Sequence, residues 1–116
     1  MSSVALPSVR DLYVPVMLAI RKHGGESDND AIADEVVDLL DITEEQLAVT
    51  YNPPRDRESK VLSRLIWARS HLKIAGYLYS PRRTVWKMTE KARRIQHFDR
   101  DELIQAVVEA RAKRGY

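Results

Sequence analysis

Residues 72–89 read LKIAGYLYSPRRTVWKMT. Tyr77–Tyr79 and Val85–Met88 are short runs with the alternation of strands, and SPRRT between them supplies turn chemistry. The stretch reads as a β-hairpin with Arg82 and Arg83 at its tip. Gly76, just ahead of it, is a natural helix stop. What it stops is the longest periodic segment of the chain, expected to be helical from Arg57 to Ile74. There Val61, Leu65, Ala68, Leu72 and Ala75 recur at helical spacing and define one buried stripe, which carries the helical pattern to Ala75.

Working outward, Ser8 to Lys22 is expected to form the first helix, capped by Ser8 with Asp11 behind it. Leu12, Val16, Ala19 and Ile20 are its apolar face, and Pro15 either kinks it or moves its start toward Val14. Gly24 and Gly25 end it, and Ser27 is read as the cap of a second helix carrying Ile32, Val36 and Leu40. Thr43 and Gln46 stand at capping-box spacing before a short helix from Glu44 to about Val49. YNPPRD is a loop. Beyond the hairpin, Thr89 caps a helix reaching about Phe98, and Asp99 starts a last one. The fold class expected is mainly α with a small β-hairpin: a winged helix-turn-helix with additional C-terminal helices. Residues 1–98 form the winged-helix domain, and 99–116 form a C-terminal helix with a frayed basic tail, EARAKRGY.

In a winged helix the long helix enters the DNA major groove and the hairpin lies on the flanking backbone. With the core stripe inward, Ser59, Ser63 and Ser70 fall on the far side, with Ile66 on one flank and Trp67, Lys60 and Arg64 on the other. Small hydroxyl side chains permit close approach to a groove, and an arginine fork matches guanine O6 and N7. The expected DNA-binding set is therefore Ser59, Lys60, Ser63, Arg64 and Ser70 on the helix, with Arg82, Arg83 and Lys87 on the wing. Arg69 and Lys73 are expected to extend to solvent, Trp67 and Trp86 to pack inward, and His71 to lie at the surface.

The chain has 116 residues, enough for one modest core. Its net charge is only +2, but residues 1–54 carry three basic and ten acidic groups, while residues 55–116 carry sixteen basic and seven acidic ones. That asymmetry suits a polyanionic partner for one face, and equally an attraction between the two halves. The absence of cysteine excludes disulfides and thiolate chemistry and suits a reducing, cytoplasmic setting. No secretory pattern and no apolar run of membrane-spanning length is present, so no membrane partner is expected. His23, His71 and His97 lack metal-ligand spacing, so neither metal nor cofactor is expected. Glu58-Ser59-Lys60, with Asp56 nearby, has the letters of a nuclease motif, but such carboxylates must converge from a sheet, and here they open a helix. The chain is read as non-catalytic.

Residues 64–92, RLIWARSHLKIAGYLYSPRRTVWKMTEKA, resemble the N-terminal domain of Mrr-type restriction proteins. That family shows an arginine, Trp-Ala, Leu-x-x-Ala-Gly-Leu, a turn with Arg-Gly, and a closing Ile-Thr-x-x-Gly. Arg64, Trp67, Ala68, Leu72, Ala75 and Gly76 match, Arg83 fits the turn arginine, and Thr89 fits the threonine. Pro7, Leu12 and Pro15 fit the opening helix, and Asn52–Pro53 the loop before the long one. Tyr77, Thr84 and Ala92 depart from a leucine and two glycines, and because threonine resists positive φ the wing turn is expected to take a different backbone. The resemblance implies a DNA-binding winged helix that targets an attached nuclease acting on modified, chiefly methylated, DNA. This sequence ends without the nuclease, so the expectation is a stand-alone module or an excised fragment, with a nuclease or other effector as partner.

Two functions compete. One is double-stranded DNA binding. The other is protein docking or dimerisation on the same scaffold. Leu103, Ile104, Val107 and Val108 make an apolar face that either packs on the first helix or pairs with its copy in a homodimer.

Overall fold

The computed structural model describes residues 5–51 and 58–115. The loop from Asn52, the expected helix start at Arg57, the Asn52–Pro53 match and Asp56 lie outside the described residues. A 3-10 turn, Arg10–Leu12, leads into α1 (Tyr13–Lys22); β1 (Glu26–Asp28), α2 (Asn29–Leu39), α3 (Glu44–Leu47) and α4 (Lys60–Ile74) follow. The wing is β2 (Leu78–Arg82) with β3 (Val85–Met88), and α5 (Glu90–Arg93) and α6 (Arg100–Lys113) complete the chain. The mainly-α winged architecture expected from the sequence is the one observed.

The core forms where the apolar stripes converge. Leu12, Val16 and Ile20 meet Ile32 and Val36 of α2 and Leu65, Ala68 and Leu72 of α4, all essentially without solvent contact. Each of the valine, leucine and isoleucine side chains contributes about 1.5–3 kcal/mol by leaving water. Leu103 and Val107 of α6 close this same core, and Ile104 packs at its edge, while Val108 is 43% exposed. So α6 takes the intramolecular use for most of its apolar face. The tail expected to fray is helical to Lys113.

Local polar chemistry sets the boundaries. Ser8 and Asp11 cap each other reciprocally, Ser8 N–H donating to Asp11 Oδ2 at 2.9 Å and Asp11 N–H to Ser8 Oγ at 3.1 Å. Pro15 falls in the first turn of α1, where its missing N–H costs little. The Thr43–Gln46 capping box, the Thr89 cap and the Asp99 cap form as expected. Ser27 is a correction. Asp28 caps α2, accepting from Ala31 N–H, and Ser27 is buried in β1 within 2.8 Å of His23 Nδ1. Helix α4 starts later than expected, because Ser59 caps it, its Oγ accepting from Leu62 N–H at 3.4 Å. The α5 helix ends at Arg93, well short of Phe98.

The sheet has three antiparallel strands in the order β1-β3-β2, with Ser27 opposite Trp86 and Leu78 opposite Met88. The β2–β3 register slips between Tyr79 and Arg82, which places Pro81, without an N–H to donate, at the irregularity of an edge strand. The wing turn corrects the expectation for Thr84. Threonine does not avoid the left-handed region but occupies it at φ 67, with its carbonyl accepting from Asn29 N–H at 2.9 Å. Closing two paired strands over Arg83–Thr84 and anchoring the turn on α2 outweigh the cost of a β-branched residue there. Thr84→Gly removes about 1–2 kcal/mol of strain and adds about 0.5–1 kcal/mol of chain entropy cost. The expected result is a net gain of about 0.5–1 kcal/mol in urea unfolding.

Candidate nucleic-acid interface

With its apolar stripe inward, α4 turns Ser63 and Ser70, both half-buried, toward its outer pole. Beside them Ile66 and Trp67 are 47% and 57% exposed. Trp67 was expected to pack inward, so this is a correction. The inward slot on that flank belongs to His71, which is buried and 2.7 Å from the Tyr13 hydroxyl. The indole lies outside it, with ring centroids 6.1 Å apart. His71 is therefore not the surface histidine that the sequence suggested.

Burial, and then the nearby Arg111 and Arg10 cations, hold the His71 imidazole below its ordinary pKa of 6.5. The folded protein keeps the ring neutral at pH values where the unfolded chain protonates it. Its contribution to stability is complete above pH 6.5 and falls as the pH drops below that value. Urea unfolding at about pH 7.5 and about pH 5 should show this loss, and His71→Gln should flatten it.

The cations fall into distinct settings. Arg64 lies on the flank away from the wing and donates from Nη1 to the Pro7 carbonyl at 2.9 Å, fastening the N-terminal segment along α4. Gln46 secures the same segment through the Ala5 carbonyl at 2.9 Å. Lys60 sits 5.0 Å from the centre of the Tyr51 ring. Ser59 is buried and committed to its cap. On the wing Arg83 is exposed, and Arg82 is exposed with Glu26 at 3.7 Å. Lys87 is half-buried, opposite Glu26 on one side and Tyr79 on the other. The structure thus leaves Ser63, Ser70, Arg82 and Arg83 available, and gives Ser59 and Arg64 structural bonds.

Arg69 is a further residue that sequence reading misplaced. It does not reach solvent. It is 6% exposed, with its guanidinium carbon 5.7 Å from the Trp86 ring centre. Trp86 packs inward as expected, its Nε1 donating to Asn29 Oδ1 at 2.7 Å. Arg69 lies five residues, or about 140° of helix, from Arg64, so it marks the flank of α4 that meets the wing.

Comparison with family models matches the Mrr N-terminal domain over residues 10–97. The chain belongs to the Mrr N-terminal domain family. Comparisons with curated proteins and with solved structures give no match. In this Mrr N-terminal domain the matched span begins at the 3-10 turn and ends just before Asp99, the cap of α6. The family's shared portion therefore holds the whole of α4 and the wing. Among the described residues no cluster of His, Cys, Asp and Glu could hold a metal ion, and no helix is long and apolar enough to cross a membrane.

Proposed function

We propose that this Mrr N-terminal domain is a non-catalytic module that binds double-stranded DNA, with the outer pole of α4 in the major groove and the β2–β3 wing on the backbone. It would act as the targeting part of a restriction-type system, in the cytoplasm, with a nuclease or other effector as its partner. The observation that carries this reading is the pair of exposed tip arginines, Arg82 and Arg83, on a wing that directly follows a helix with a small-hydroxyl pole. Phosphate contacts release counterions, so affinity for a random-sequence duplex should fall steeply between about 50 mM and about 200 mM salt. Absence of binding at the lower salt would overturn the reading.

The docking alternative is favoured by one observation. Leu62, Ile66 and Trp67 expose 40%, 47% and 57% of their surfaces on the same helix. Contiguous exposed apolar surface marks interaction sites in general. A homodimer through α6 would have Val108 as its main remaining apolar contact, since Leu103 and Val107 are already buried within one chain. Light scattering distinguishes the outcomes: a concentration-dependent dimer without duplex binding favours docking.

A further inference from the structure

We propose that Arg69 holds a backbone phosphate of the bound duplex, in a cleft between the first turn of α2 and the middle of α4. The inference rests on the duplex-binding reading above. The cleft has a volume of about 200 Å³ and is lined by Asn29, Asp30 and Ala33 from α2 and by Leu62, Ile66 and Arg69 from α4. Arg69 is 94% buried, yet among the described residues it forms no ion pair and its Nε has no hydrogen-bond partner. Arginine does not escape such a position by losing its proton, although burial does draw its pKa down. A buried charge with no counter-charge is strongly unfavourable, and an anion entering the cleft would offset that cost.

The surroundings fit an anionic oxygen. The Trp86 ring holds the guanidinium from the wing side. By taking the Asn29 carbonyl oxygen as its acceptor, Trp86 leaves the Asn29 amide nitrogen, which has no acceptor among the described residues, as a second donor at the cleft. The location fits as well. A duplex that engages both the outer pole of α4 and the wing passes over the mouth of the cleft, because Arg69 lies on the flank between them. Asp30 stands on the rim and opposes an anion, which gives the inference a second handle.

Arg69→Met keeps the packing on Trp86 and removes the charge. In chloride buffer its melting temperature should equal or exceed that of the parent, as expected when an unpaired buried charge becomes apolar. Its affinity for random duplex should fall about tenfold, and the slope of log affinity against log salt should shrink by about 0.9, the value for one phosphate. Arg69→Lys should restore the slope but only part of the affinity, since the fork is lost. Asp30→Asn should tighten binding. Inorganic phosphate, compared with chloride at equal ionic strength, should raise the melting temperature of the parent and not that of Arg69→Met.

An unchanged salt slope in Arg69→Met, with or without a lower melting temperature, would overturn the inference and leave the duplex reading intact. So would loss of stability in Asp30→Asn with no gain in affinity, which would make Asp30 the counter-ion of Arg69. A parent that responds to phosphate through Arg69 but binds no duplex would overturn both the duplex reading and the assignment of the phosphate to DNA.

Discussion

Replacing Arg82 and Arg83 together by alanine is expected to weaken duplex binding by about 10- to 100-fold and to flatten the salt slope by about 1.8, the value for two phosphates. The loss should be the same for every sequence tested, because backbone contacts position a protein without reading bases. Stability should barely change. Arg83 is exposed, and the contact between Arg82 and Glu26 is long, at 3.7 Å, and solvated on both sides. Exposed pairs of that kind contribute at most about 1 kcal/mol. Fluorescence anisotropy across a salt series, with a melting curve for each variant, separates the two effects. A double variant with the parent's slope would remove the wing from the interface.

The second large effect is on stability, at Arg21. This side chain donates from Nη2 to the carbonyls of Ala92 and Ile95, at 3.1 and 2.5 Å, and from Nη1 to that of Gln96 at 3.3 Å. Its guanidinium also lies 4.3 Å from the centre of the buried Phe98 ring. It therefore satisfies the carbonyl end of α5, a helix of only four residues, and fixes the path from there into α6. Arg21→Ala leaves those carbonyls without their charged donor and Phe98 without its cover. Charge-assisted hydrogen bonds contribute about 1.5–3 kcal/mol each and are not additive, so a loss of about 3 kcal/mol is expected. Urea unfolding measures it. Duplex affinity well below the transition should stay near that of the parent, since Arg21 contacts neither α4 nor the wing tip in any of these bonds.

What the sequence revealed, and what it hid, follows from where each signal resides. The stripe from Val61 to Ala75 and the caps at Thr43, Thr89 and Asp99 are local patterns, and each sits in the structure where its spacing puts it. Strand β1 is three residues, Glu26–Asp28, with no apolar alternation, so nothing marks it until β3 is in place to pair with it. Trp67 and His71 lie only about 40° apart around α4, and periodicity does not decide which one turns inward. Tyr13, 58 positions away from His71, decides it by offering a hydroxyl. Arg64 is drawn from the groove-facing set by the Pro7 carbonyl, and Arg69 is covered by Trp86, which Asn29 holds in place. Each of these outcomes depends on a partner from a distant element. The fold was therefore readable from periodicity, and the roles of individual cations were not.

The strap formed by Ala5 to Pro7, tied down by Gln46 and Arg64, has a practical corollary. These ties hold Ala5 to Pro7 beside the helix that would enter the groove. A fluorophore placed there should brighten or dim when a duplex arrives, whereas a bulky purification handle at the same point would crowd the approach.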